Sequence, residues 1–270
     1  MKSASAVKTT ILAIGIALSL AGCGDSNEMS QEEIQYLSHL DQSRFFQRQG
    51  ELKASTLEAR SAIEMQPGRV EPYLVIINNL LTAGDARNAE RQLDNLMEQI
   101  EPSNISQQSQ NDAALVRAEA NLMQQEYDDA LKALAAIKAP DRAHQSEAAL
   151  LKGHILLASG DLSGARTAYR NARDLAPNSV EPLIGLSKVA FGEDKQTEAA
   201  DFIRQANDID PQNVELWLWK ARLAHAGKRW ADAEQAYINA LETIGQYDVM
   251  TFRKFETMSA LIDVLRQQGK

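Results

Sequence analysis

The chain has 270 residues, a formal net charge of −9, 44% hydrophobic but only 6% aromatic residues, and one cysteine. An acidic balance of this size argues against nucleic acid and against electrostatic docking on anionic lipid, while a single thiol excludes an internal disulfide and makes a thiolate metal site untenable. Few glycines and prolines, regularly placed among abundant alanine and leucine, are the composition of an all-helical repeat chain.

At the start, Lys2 and Lys8 precede the apolar run "ILAIGIALSLA" (Ile11 to Ala21), which is too short to span a bilayer as a lasting helix and reads as a secretion signal. The lone cysteine, Cys23, follows directly. Leu20, Ala21, Gly22 and Cys23 resemble the lipobox of bacterial lipoproteins, in which the signal is cut before the cysteine and the cysteine becomes the acylated first residue. An ordinary signal peptide or a catalytic thiol are the other readings of this segment. The resemblance implies a signal peptide over 1–22, lipidation at Cys23 and a short tether over 23–30. In that family an aspartate directly after the cysteine tends to retain the protein at the inner membrane; here Gly24 follows and Asp25 comes one place later, so the outer membrane, periplasmic face, is expected. The first 22 residues carry two lysines and no acid, leaving 26 basic against 37 acidic side chains and a formal charge of −11. Attachment would be through lipid, each buried acyl methylene contributing roughly 0.8 kcal/mol.

Ser30 and Glu33 have capping-box spacing, so a helix is predicted to begin there. A periodic signal then fills 31–270. A small-residue column runs Ser55, Ala89, Ala130, Ala165, Ala199 and Ala233, at spacings of 34, 41, 35, 34 and 34. Upstream of each turn a first helix carries its own column, Ser43, Ile77, Ala118, Gly153, Ser187 and Ala221; downstream lie Ala59, Leu93, Leu134, Tyr169, Ile203 and Tyr237. Two helices approach to about 8–10 Å only where small side chains let ridges enter grooves. Gly50, Gly84 and Gly160 are placed to end first helices with a left-handed cap, and Pro67, Pro177 and Pro211 to stop second helices. On these columns the chain resembles the tetratricopeptide (TPR) repeat, which implies an all-α fold: a TPR α-solenoid, a right-handed superhelix of about six helix-turn-helix units plus a terminal half unit.

The departures have positions too. Ile77 is large where the family prefers glycine or alanine, and "EPSNISQQSQ" (Glu101 to Gln110) and "TIGQYDVM" (Thr243 to Met250) lengthen the spacing; they are partner loops or simply longer helices. The final "TMSALIDVLRQQGK" (Thr257 to Lys270) reads as a first helix without its second: a native cap or, as expected here, the front part of a longer array.

No GxSxG, P-loop, HExxH or glycine-rich dinucleotide turn is present, and no catalytic residue, metal ligand set or cofactor is expected. Asp128 with Asp129 and Asp208 with Asp210 read as solvated charge. Trp217 and Trp230 match aromatic positions of the repeat; Trp219 is not demanded by it. Glu71, Asp112, Glu147, Glu181 and Glu215 are placed in the first turns of first helices, where the helix dipole accounts for them or an acidic rim would face a basic partner.

In TPR superhelices the first helices line the concave face. One column there reads Leu40, Leu74, Leu115, Leu150, Ile184 and Leu218; the next Arg44, Asn78, Glu119, His154, Lys188 and Arg222; a third Gln47, Leu81, Leu122, Leu157, Phe191 and His225. The leucine column lacks the lysine that carboxylate-clamping TPR domains need. An apolar ribbon bordered by a varied polar row suits an amphipathic helix or extended segment of another protein, unless the leucines merely pack between units. The expected groove is Leu74, Asn78, Leu115, Glu119, Leu150, His154, Ile184, Lys188, Leu218 and Arg222. The order of signal, lipobox and repeats resembles TPR lipoproteins associated with exosortase and exopolysaccharide export. It implies a non-enzymatic, lipid-anchored scaffold for an envelope assembly or export machine. The alternatives are a lipoprotein of type IV pilus secretin assembly, a peptidoglycan-hydrolase adaptor, or the recognition arm of a longer envelope enzyme.

Overall fold

The computed structural model describes residues 29–101, 104–245, 247 and 249–270. Cys23, and with it the signal and most of the tether, lies outside the described residues. Within them the chain is all-helical: α1 (Gln31–Arg48), α2 (Leu52–Met65), α3 (Glu71–Ala83), α4 (Ala86–Gln99), α5 (Gln107–Met123), α6 (Tyr127–Ala135), α7 (Arg142–Ala158), α8 (Leu162–Leu175), α9 (Glu181–Gly192), α10 (Gln196–Ile209), α11 (Val214–Ala226), α12 (Trp230–Ile244) and α13 (Phe252–Gln267).

Successive helices pair as hairpins because every unit carries the same stop between them. The residue that turns the chain has positive φ in all six hairpins: Gly50, Gly84, Gln125, Gly160, Asp194 and Lys228. Helix starts are set by side-chain caps in several units, as at Ser30, Asp85, Ser106, Asp141, Asp161 and Asn213, each accepting from the backbone N–H three residues on. α3 and α9 have no capping side chain and instead carry Pro72 and Pro182 in the first turn, where a missing N–H costs nothing. α2, α8 and α10 each end two residues before Pro67, Pro177 or Pro211.

The small columns are the hairpin seams. Ser43, Ser55, Ala59, Ala89, Ala118, Ala130, Ala165, Ala221 and Ala233 are all fully buried. Asn79 on α3 ties the second hairpin to the first: its amide donates to Ser55 Oγ (2.9 Å) and Thr56 Oγ1 (3.1 Å) on α2 and accepts from Gln47 Nε2 (2.8 Å) on α1. Successive hairpins meet through the second helix of one and the first helix of the next, α2 on α3, α4 on α5, α6 on α7, α8 on α9 and α10 on α11, and through neighbouring first helices, α1 on α3, α3 on α5, α5 on α7, α7 on α9 and α9 on α11, with α13 against α12. This stacking puts the first helices on one side of the array.

The insertion at Glu101 to Gln110 is resolved in favour of a longer helix: Ser106 caps α5 one turn early, and α5 and α7 both run 17 residues. That displaces two predicted positions. Asp112 and Glu147 lie in the second turns of α5 and α7, not the first, so the helix dipole does not account for them; Glu71, Glu181 and Glu215 do occupy first turns.

The second insertion does something no periodicity announces. Tyr247 lies against Gly50, where an added Cβ would come within 3.1 Å of the ring, and Phe252 lies so close to Gly84 that a Cβ there would sit 2.6 Å from Phe252 Cβ. The segment joining α12 to α13 therefore reaches back to the turns of the first two hairpins, and at Gly84 (φ +96) both backbone and neighbour require glycine.

Candidate functional site

The concave side holds two contrasting hollows, with a third beside the last helix. In the first half a cavity of about 210 Å³ is lined by Leu74, Asn78, Leu115 and Glu119, with Glu71, Asp112 and Glu147 around it and Arg44 at its edge. Glu71 is neutralised locally: it accepts from Arg69 Nε (3.4 Å), Tyr36 Oη (3.3 Å) and Ser109 Oγ (3.3 Å). Although burial works against its charge, these bonds and its own backbone N–H hold its carboxyl below the usual range. Asp112 accepts from His144 Nε2 (2.9 Å) while Asp141 accepts from Nδ1 (2.8 Å). Burial of His144 disfavours the proton, but the two carboxylates prevail and raise its pKa. Glu119 and Glu147 have no such partners among the described residues. Their carboxylates open to the groove yet have protein on most sides, so desolvation, then the neighbouring acids, push both above the usual range.

A cavity of about 590 Å³ opens between α5, α7, α9 and α11, with Leu122, Leu157, Ile184 and Trp219 as its apolar walls. Its floor is Tyr169, projected from the second helix α8. That ring can lie there because Gly153 and Gly185 have no side chains; a Cβ on either would come within 2.5 Å of it. Tyr169 is fully buried, its hydroxyl has no hydrogen-bond partner among the described residues, and burial raises its pKa. His154 meets Tyr169 edge to face at 5.6 Å. Burial, then the neighbouring Lys188 charge, lower its pKa to about 4, so the imidazole is neutral near pH 7.

The rim of this cavity is cationic. Lys188, Arg222 and Arg253 line it, Arg253 coming from the first turn of α13. Glu215 is shared between Arg253 Nη1 (2.5 Å) and Lys188 Nζ (3.9 Å). Glu181 accepts from Ser179 Oγ (2.5 Å) and Asn213 Nδ2 (3.3 Å). Arg222 is exposed and has no ion-pair partner among the described residues. Desolvation lowers the pKa of Lys188 even with Glu215 beside it. The third hollow, about 400 Å³, continues past Leu218 and Arg222 toward Glu256 on α13.

Of the residues expected in the groove, Leu74, Asn78, Leu115 and Glu119 line the first cavity, His154, Ile184, Lys188 and Arg222 the second, and Leu218 with Arg222 the third. Leu150 lines none of the three and packs against the Ala165–Tyr169 cluster. Leu74, Leu115, Ile184 and Leu218 are also core residues, between 2% and 7% exposed, so the apolar column serves packing first and offers the groove only its edges. Trp219 was the tryptophan the repeat did not demand, and it is a wall: its Nε1 donates to Ser187 Oγ (2.8 Å), and Phe191 meets it edge to face at 5.7 Å. Tyr169 and Arg253 carried no comparable signal, since each reaches the cavity from an element outside the first-helix columns. Among the described residues no group of three or more His, Cys, Asp or Glu is arranged to hold a metal ion, and no helix is long and apolar enough to cross a membrane.

Stacked hairpins with first helices along a grooved face define a class: an α-solenoid whose extended concave surface serves protein–protein contact. The chain belongs to the tetratricopeptide repeat-like family. A family model described as a tetratricopeptide repeat-like domain matches residues 16–191, and a tetratricopeptide repeat model matches 206–249. No curated protein matches the sequence. Among solved structures the chain is similar to Pseudomonas aeruginosa PilF (13% identity, covering 85% of this chain and 100% of that one, TM-score 0.54). It is similar also to a tetratricopeptide repeat protein from Parabacteroides merdae (14%, 85% and 84%, 0.60) and to yeast Tom70 (14%, 88% and 56%, 0.54). At these identities the likeness is one of fold.

Proposed function

We propose that the protein is a non-enzymatic interaction scaffold, held by lipid on Cys23 at the periplasmic face of the outer membrane, that receives a helix or extended segment of a partner from an envelope assembly or export machine. Exopolysaccharide export is the machine we favour, on the resemblance of the signal, lipobox and repeat order. The observation that carries the scaffold reading is the 590 Å³ cavity on the first-helix face, with apolar walls and a charged rim, of a size suited to a few side chains of a bound segment.

Photo-crosslinking in cells tests it. The reporter belongs at exposed groove positions, Glu119 and Arg222, rather than in the buried leucine column, with Arg170 and Arg204 on second helices as controls. Discrete adducts from Glu119 and Arg222 alone support a groove-bound partner, and mass spectrometry of the adduct separates an export machine from secretin assembly or a peptidoglycan hydrolase. Equal labelling from both faces removes the groove reading. The anchor is tested apart from it: Cys23→Ala is expected to abolish incorporation of labelled fatty acid, and retained incorporation overturns the lipid attachment.

A further inference from the structure

Resting on the groove reading above, we propose that the cavity between α5, α7, α9 and α11 is an anchor pocket for a partner segment in which a carboxylate side chain adjoins a large apolar one. Two features of one hollow point to this pair. Its inner walls, Leu122, Leu157, Ile184 and Trp219, offer apolar surface with little to hydrogen-bond; the Trp219 N–H is already spent on Ser187. An aliphatic or aromatic side chain fits there, and a polar one would lose its hydration uncompensated.

The rim sets the second requirement. Lys188, Arg222 and Arg253 face two carboxylates, of which Glu181 is held by Ser179 and Asn213 and Glu215 is shared by Lys188 and Arg253. Arg222 is left with its guanidinium in solvent at the cavity edge. In a chain of net charge −9 this is a local reversal of sign, and the adjoining first cavity, where Glu119 and Glu147 make no ion pair among the described residues, has the opposite one. An acidic side chain is therefore attracted at the second cavity and repelled at the first, which fixes where along the groove it sits. Lys188 is desolvated before any partner arrives, so an added carboxylate gains there without a further large dehydration cost.

The test uses the full chain in detergent micelles as bait for a random decapeptide library, followed by fluorescence anisotropy of the selected peptides. Selected peptides are expected to place Asp or Glu beside Leu, Ile, Phe or Trp. Arg222→Glu, an exposed change that spares the core, should weaken them by about tenfold or more, and replacing the peptide's acid by Arg should recover that loss. Peptides without the acidic residue, or an affinity indifferent to Arg222→Glu while Trp219→Ala abolishes binding, would overturn the pocket chemistry and leave the groove reading standing. Binding insensitive to both variants, or no binder at all, would overturn both. Unfolding midpoints of each variant distinguish lost contact from lost fold.

Discussion

Gly185 and Tyr169 show how a single missing side chain shapes this surface. Gly185 lies outside the small-residue columns, yet its Cβ would meet Tyr169 Cε1 at 2.4 Å, as a Cβ on Gly153 would meet Cδ1 at 2.5 Å, so the ring fills the space that both glycines leave. Gly185→Ala is accordingly expected to destabilise the protein by about 1–3 kcal/mol, despite alanine's higher helix propensity, because a fully buried ring has to shift to admit the methyl group; a lowered urea midpoint checks it. His154, edge-on to the same ring, makes a pH prediction. Its folded-state pKa, lowered to about 4 by burial and then by Lys188, lies beneath the unfolded value of 6.5. Below 6.5 the unfolded chain takes up a proton that the folded chain refuses, so this contribution is complete above 6.5 and is lost as pH falls toward 4. Glu119 and Glu147, whose pKa values are raised, act in the opposite sense. Comparing wild type with His154→Gln isolates the imidazole: the variant's stability should change less between pH 6.5 and 4. Parallel curves would show that His154 does not contribute.

At the scale of the helix, what positions the cavity is where each first helix begins. Asn213 caps α11 by accepting from the Leu216 N–H (3.1 Å), and its amide donates to Glu181 on the preceding first helix. One side chain thus sets the start of the helix that carries Trp219 and Arg222, and ties down a rim carboxylate. Asn213→Ala is expected to cost about 1 kcal/mol and to speed amide exchange in the first turn of α11, whereas Asn213→Asp should keep the cap and place a second carboxylate against Glu181. The same scale explains why the acidic column was misplaced from sequence. Its repeat spacing is correct, but Ser106 and Asp141 start α5 and α7 early, moving Asp112 and Glu147 into second turns beside the first cavity. A column fixes which face a residue occupies; a cap fixes how deep in the helix it lies.

The array as a whole is closed by contacts between its ends. Tyr247 at Gly50 and Phe252 at Gly84 join residues about 200 and 170 positions apart, and Arg253 carries that segment on to Glu215 at the second cavity. In an open solenoid each unit touches only its neighbours and end units fray independently. Here Tyr247→Ser with Phe252→Ser is expected to raise amide exchange around the first two hairpin turns while leaving α7 and α8 unchanged; a uniform rise would instead mean global destabilisation. By itself the sequence determined the hairpin, its stops and its seams, because small residues every 34 positions and glycine or proline at the turns act over one or two helices. Periodicity along each helix assigned its faces, while which helices line the groove followed from the resemblance to the repeat. Only the tertiary structure decided that Tyr169 forms a floor, that the leucine column is mostly core, and that Arg253 completes a cationic rim. Those outcomes depend on side chains of different helices meeting in space, Tyr169 between Gly153 and Gly185 and Arg253 at Glu215, which no local spacing relates.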